Sequence, residues 1–365
     1  MRRITPQPLR SRPTVSVVVP CYRYGHFLPA CVRSILDQDG VDVDVLIVDD
    51  ASPDNSATVA RRLAEEDPRV RVIVHEVNRG HIATYNEGLA AVHGEYLVLL
   101  SADDLLAPRS LANSTALLHA NPDVGLVYGF TRSFSDEPPP ARTAPRSWSI
   151  WPGEEWLSLL CQRASNPIAT PEVVMRAKTM QDLVGYDARL PHAADFLLWL
   201  RAATRASIGR VNGVDLAYYR VHGENMHMAQ YPGALRDLTE RKRAFDILFD
   251  EDGDHVPDAA QLREAASRGV AREALVVACQ AYHRGFPTDE QAEVLGRLAE
   301  LAEQIFPPSR TTRLRRSYDL QVARASKGKG PLVPRRVTAL RNRAVDHLRW
   351  RRFRRSGIDG ALGWL

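Results

Sequence analysis

From residue 15 to residue 100 the chain alternates between two hydrophobic periods. Short, nearly continuous apolar runs occur at VSVVVP (15–20), VDVLIVDD (43–50), VRVIVHE (70–76) and EYLVLL (95–100). Between them lie stretches with apolar residues at helical spacing: HFLPACVRSILDQ (26–38), NSATVARRLAEED (55–67) and HIATYNEGLAAVHG (81–94). In the first of these, Phe27, Cys31, Ile35 and Leu36 share a face. Asp54 or Asn55 is placed to cap the second, and Gly94 to stop the third. Apolar strands alternating with helices predict an α/β fold, a doubly wound, mostly parallel sheet with helices on both faces.

In such sheets ligands bind at the carboxyl ends of the strands, and there the polar residues collect. The second run ends in Asp49-Asp50 and the fourth leads into Asp103-Asp104. The first ends in Pro20-Cys21-Tyr22, and Asn78-Arg79-Gly80 follows the third. A single Asp after a strand is as well explained by a cap or a turn. Two Asp-Asp pairs on one sheet edge point instead to a shared ligand site. Adjacent carboxylates repel and resist burial, so they need compensation. The sequence has no G-x-G-x-x-G after the first strand and no G-x-x-x-x-G-K-[ST], which disfavours a dinucleotide or P-loop enzyme. Carboxylates in place of amide-rich loops suggest phosphates held through Mg²⁺ or Mn²⁺.

Charge divides the chain. Residues 305–365 hold 16 Lys/Arg against 3 Asp/Glu, a net +13, so the overall +4 leaves −9 on the rest. Residues 231–305 read as helices separated by Pro257 and the GFPTD turn, an appendage suited to packing, acceptor shaping or self-association. The segment 335–357, RRVTALRNRAVDHLRWRRFRRSG, reads as a basic amphipathic helix with Val337, Leu340, Ala344 and Leu348 on one face. It suits an anionic membrane surface; docking on the acidic body and nucleic-acid binding are its rivals. Trp148, Trp151 and Trp156 flank a Pro-rich stretch and either stack on an acceptor sugar or anchor a loop. The acidic DEDGD (250–254) lacks calcium-loop spacing and reads as a solvated linker. No run of about 18 apolar residues occurs, and the basic start lacks a signal peptide's apolar core, so a cytoplasmic protein is expected. The four cysteines lack metal-site spacing and read as reduced thiols.

Several ordered blocks carry a resemblance across roughly residues 14–225: VSVVVPCYRYGHFLPACVRSIL, VDVLIVDDASPDNS, NRGHIATYNEGLAAVHGEYLVLLSADD, VVMRAKTMQDLVGYDARLPHAADFLLWLRAA and YYRVHGENM. The chain resembles the inverting, nucleotide-sugar-dependent glycosyltransferases of family 2, with the GT-A fold. The resemblance implies that Pro20 and Tyr22 line the nucleotide-base pocket and that Asp50, with Asp49 beside it, binds base or ribose. Asn78, Arg79 and Gly80 fall near the diphosphate or base, and Ala102 lies in the donor site. Asp103 becomes the metal-binding carboxylate of the D-x-D motif, with Asp104 adjacent. Asp195 becomes the general base, and Arg220 and His222 match a late R-x-H element closing over diphosphate or metal. Two positions depart from the pattern: Ser101 replaces the first Asp of D-x-D, and Asp195 follows two alanines where an acidic pair is common.

Inverting transfer needs a carboxylate to take the acceptor hydroxyl's proton and a divalent cation to neutralise the leaving diphosphate. The expectation is a hexosyl-type glycosyltransferase, UDP-sugar most favoured, acting on a hydroxyl acceptor (a glycan, a lipid-linked carrier or a small molecule) with Mn²⁺ or Mg²⁺. A membrane contact through 335–357 and no nucleic-acid partner are expected. A sugar-nucleotidyltransferase would carry a glycine-rich triphosphate loop, which is missing; a non-catalytic nucleotide-binding or scaffold member is the alternative. The expected organisation is a flexible 1–13, a catalytic domain over 14–230, a helical appendage over 231–306 and a basic tail over 307–365.

Overall fold

The computed structural model describes residues 1–183, 185–223, 233–284, 287–327 and 329, with a few single positions between 344 and 358. The chain forms two compact units, Met1–Trp156 with Ile168–Asn225, and Leu157–Pro167 with Met226–Leu365.

The first unit contains β1 (Arg2–Ile4), β2 (Thr14–Cys21), α1 (Leu28–Leu36), β3 (Asp42–Asp49), α2 (Ser56–Glu66), β4 (Val70–Val74), α3 (His81–Ala90) and β5 (Tyr96–Leu99). There follow β6 (Leu105–Leu106), α4 (Ser110–Ala120), β7 (Val124–Tyr128), β8 (Thr131–Phe134), β9 (Ser147–Trp151) and α5 (Gly153–Arg163), whose second half enters the other unit. Then come a 3-10 turn (Thr170–Glu172), β10 (Val174–Arg176), α6 (Ala177–Gln181), α7 (Ala194–Arg205), β11 (Ser207–Asn212) and β12 (Ala217–Arg220). A nine-stranded sheet runs β1-β9-β11-β7-β10-β5-β2-β3-β4, and β6-β12-β8 form a second, small sheet.

The four strands expected from the sequence form the block β5-β2-β3-β4, all parallel. The far half is mixed, because β10 runs antiparallel to both β5 and β7. Strand alternation sorts the covering helices. Val17, Val19, Val45 and Ile47 pack with Cys31 and Ile35 of α1 and Ala60 of α2. The opposite face meets α3: a Cβ on Gly88 would lie 2.4 Å from Val18 and 3.2 Å from Val48, so only glycine permits this approach. α3 stops at Ala90, before Gly94, because Gly94 docks on β2 instead. Its N–H donates to Ser16 Oγ at 2.8 Å, and a Cβ there would strike the Ser16 backbone at 2.6 Å.

Three expectations are corrected. Residues 2–4 are an edge strand on β9, with Arg2 paired to Asp123 at 3.2 Å, not a flexible end. Residues 157–167 group with the helical unit. That unit continues past 306: after α8 (Ala234–Glu251), α9 (Ala259–Arg284) and α10 (Asp289–Ile305) comes α11 (Arg313–Ala325). Thr312 caps α11, accepting from Arg315 N at 3.2 Å, and its buried Tyr318 meets Tyr282 of α9 edge to face. Its many arginines read as tail because its buried stripe is narrow. The DEDGD stretch ends α8 and forms a short 3-10 turn. Trp148, Trp151 and Trp156 are all buried, so they are core and loop anchors. All four cysteines are unbridged and buried. The segment 335–357 lies almost wholly outside the described residues. Among those described, no helix is long and apolar enough to cross a membrane.

Candidate active site at the carboxyl edge of the parallel strands

Parallel pairing places the ends of β2 and β3 side by side, Cys21 opposite Asp49, and Asp50 is the first residue after β3. The two aspartates then diverge. Asp49 is fully buried, and its Oδ2 accepts from Ser52 N at 3.1 Å, which holds the turn after β3. Asp50 is the centre of a cradle. Its Oδ1 accepts from Arg79 N at 2.8 Å and lies 2.7 Å from His75 Nδ1, and its Oδ2 accepts from Gly80 N at 2.9 Å. Asn78 Nδ2 donates to its carbonyl at 3.1 Å. Burial alone would raise the Asp50 carboxyl; the Arg79 N–H, the His75 imidazole and the Gly80 N–H outweigh it and hold the group below its ordinary range. His75 follows β4, and its other ring nitrogen lies 3.3 Å from Glu87, which also pairs with Arg79. Asn78, Arg79 and Gly80 are therefore gathered on Asp50. Tyr22, at the end of β2, is 43% exposed, an open aromatic face beside this cradle's strands, whereas Pro20 and Ala102 are buried.

The second carboxylate pair is organised from β12. That strand pairs antiparallel with β6, Tyr218 opposite Leu105, which carries Arg220 back alongside Asp103 and Asp104. Arg220 N donates to Asp104 Oδ1 at 2.9 Å, and Arg220 Nε donates to the Asp103 carbonyl at 3.0 Å. The guanidinium sits between the rings of Phe27 and Phe134, 4.6 and 4.4 Å from their centroids. Two residues on, His222 Nε2 lies 3.0 Å from Asp103 Oδ2, with Tyr24 and Phe27 against its ring. The roles of the two carboxylates separate here as well. Asp104 is buried and pinned by a backbone N–H; desolvation first, then the charge of Asp103, push its carboxyl well above the ordinary range. Asp103 and His222 form the oxygen–nitrogen donor pair. Such a pair fits Mn²⁺, which accepts imidazole as well as carboxylate, better than Mg²⁺. Among the described residues no three His, Cys, Asp or Glu side chains converge for a metal, so this pair alone does not complete a coordination shell.

Asp195 lies in the first turn of α7, behind the cap residue Ala193. Thr170 Oγ1 donates to its Oδ2 at 3.3 Å, and Phe196 N to its Oδ1 at 2.6 Å. The 3-10 turn carrying Thr170 packs against β5, β6 and β12, the strands that deliver Asp103 and Arg220. Glu172 in the same turn escaped the sequence reading. It is buried, accepts from Thr131 Oγ1 at 3.0 Å, and desolvation raises its carboxyl from 4.5 to about 7 despite the nearby Arg210. A lone Glu between Pro171 and a valine pair gave no periodic signal. The raised value fixes a sign: between about pH 4.5 and 7 the folded state binds a proton that the unfolded chain does not. Glu172 therefore takes stability away as pH rises through that window, by roughly 3 kcal/mol at most. Denaturant titrations at pH 5 and pH 8 should show this fall in the wild type and a flatter profile in Glu172→Gln; parallel profiles would exclude a protonated Glu172.

Residues 16–177 match the family model described as glycosyl transferase family 2. A glycosyltransferase of Nostoc sp. is 26% identical over 224 residues, 59% of this chain and 67% of that protein. The curated relatives are matched over as much as 67% and as little as 10% of their own length. Among solved structures, S. aureus TarS 1–349 in complex with UDP-GlcNAc superposes with a TM-score of 0.62 at 16% identity, covering 87% of this chain and 92% of that one. The mannosyltransferase PcManGT from Pyrobaculum calidifontis, in complex with GDP-Man and Mn²⁺, gives 0.51 at 21% identity, covering 88% and 89%. At such identities the likeness speaks for the fold.

Proposed function

Because this chain belongs to glycosyl transferase family 2 and has the GT-A fold, we propose that it moves a sugar from a nucleoside-diphosphate sugar to an acceptor hydroxyl with inversion. The observation that carries this reading is the Asp103–His222 pair at 3.0 Å, set at the same strand edge as the Asp50 cradle. Tyr22, Asp50 and the Asn78–Gly80 loop hold the base and ribose. Asp103 and His222 would hold the divalent cation. When bound, that cation supplies charge stabilisation to the departing diphosphate. Asp195, ionised at a helix N-terminus, takes the proton of the attacking hydroxyl. Arg220 keeps Asp104 and the Asp103 backbone in place and adds positive charge beside the diphosphate.

A UDP-sugar is the favoured donor, in keeping with the TarS complex with UDP-GlcNAc; the GDP-Man of PcManGT makes a GDP-sugar the rival. The test is nucleoside-diphosphate release from UDP-GlcNAc, UDP-glucose, UDP-galactose and GDP-mannose, with and without Mn²⁺, beside calorimetry with UDP and GDP. Mn²⁺-dependent release from one donor is the expected result. Metal-assisted nucleotide binding with no release from any donor would favour the non-catalytic alternative. The absence of nucleotide binding would overturn the reading.

A further inference from the structure

Helix α3 touches both ends of the proposed reaction. At its start, the N–H groups of Arg79 and of its cap residue Gly80 hold the Asp50 carboxylate. Two turns on, Asn86 uses both ends of its amide on the backbone of one residue far along the chain. Its Nδ2 donates to the Tyr186 carbonyl at 2.8 Å, and its Oδ1 accepts from Tyr186 N at 2.8 Å. The preceding Gly185 is in the left-handed region, φ 88°, and a Cβ there would lie 2.6 Å from Asn86 Oδ1. Tyr85 packs edge to face on Tyr186 with centroids 5.3 Å apart, and His81 Nε2 lies 2.9 Å from the Pro191 carbonyl. The chain so gripped, Tyr186 to Ala193, leads directly into Asp195.

Building on the reading above, we propose that Asn86 is a positioning residue that couples the nucleotide end of α3 to the general base. A helix of 10 residues moves as a rigid body, so a shift at Gly80 is a shift at Asn86. A bidentate amide clamp fixes the peptide at Tyr186 in both distance and direction, which a single hydrogen bond or an apolar contact does not. Nucleotide binding against Asp50 therefore orders the segment 186–196 and seats Asp195. A base misplaced by about 1 Å costs up to roughly 100-fold in rate.

The test is hydrogen–deuterium exchange of the full chain, with and without Mn²⁺ and whichever of UDP or GDP binds by calorimetry, on wild type, Asn86→Ala and Gly185→Ala. Nucleotide is expected to slow exchange over 186–196 in the wild type and to lose most of that protection in both variants. Nucleotide affinity should change by less than about threefold, while diphosphate release falls about 10- to 100-fold. The double variant should be no worse than Gly185→Ala alone, since removing Asn86 removes the clash. Wild-type protection in Asn86→Ala, or parallel losses of affinity and turnover, would overturn the proposal. If Asn86→Ala does not fold, Asn86→Asp keeps the acceptor for Tyr186 N, loses the donor to its carbonyl, and should show the same split at smaller amplitude. Asp195→Asn separates the two claims: it should keep nucleotide-induced protection and lose turnover. Turnover retained in that variant would remove the general base and leave the α3 link standing.

Discussion

Asp195→Asn is expected to lower turnover by about 10²- to 10⁴-fold while leaving nucleotide affinity within about twofold. The variant isolates one property. Asparagine has nearly the same shape and can still accept from Thr170 Oγ1, which bonds Asp195 Oδ2 at 3.3 Å. What it cannot do is take a proton. The carboxylate sits in the first turn of α7, where the positive end of the helix dipole favours the ionised form. Losing that favourable charge should cost about 0.3–1 kcal/mol of stability, too little to unfold the domain or confuse the kinetics. The comparison is diphosphate release against calorimetric binding on one preparation. Turnover within about threefold of wild type would mean that another group takes the proton, and the buried Glu172, in the same 3-10 turn as Thr170, would be the next to test.

The strand-and-helix alternation of residues 15–100 was legible because buried parallel strands are apolar on both faces and leave a period no exposed element imitates. The sheet edge was legible for the same reason: polar residues that interrupt such runs stand at their ends. How the two aspartates of each pair divide their partners was not legible. Asp49 and Asp50, or Asp103 and Asp104, are one residue apart, and the turn that follows the strand decides which groups each one meets. Ser52 N claims Asp49, while the N–H groups of Arg79 and Gly80 claim Asp50. His75 was hidden inside an expected strand that stops at Val74, and only the pairing of β3 with β4 brings it to Asp50. The link made by Asn86 was not legible, because its partner Tyr186 lies 100 residues away and a local pattern cannot reach it. The tryptophans were ambiguous until β9 was placed against β11, where their rings fill the core.

Asp103→Ala should abolish Mn²⁺-dependent nucleotide binding and reduce diphosphate release by about 10²- to 10³-fold, the scale of losing one transition-state charge partner. A thermal readout does not depend on finding the acceptor. A ligand that binds only the folded chain stabilises it by roughly 2.7 kcal/mol at a hundred times its dissociation constant. Mn²⁺ with nucleotide should therefore raise the melting temperature of the wild type and leave that of Asp103→Ala unchanged. Without ligand the variant should be no less stable than the wild type. Its alanine removes a charge that helps drive the buried Asp104 carboxyl upward, and one partner it gives up, His222 Nε2, lies in a half-buried side chain that water can reach. Asp104→Ala should behave in the opposite sense. It strips the acceptor from Arg220 N, a part-buried backbone donor, and should cost about 1 kcal/mol of stability with or without metal. Metal-dependent stabilisation surviving in Asp103→Ala and vanishing in Asp104→Ala would exchange the two roles, and with them the assignment of which carboxylate the sheet edge presents to the donor.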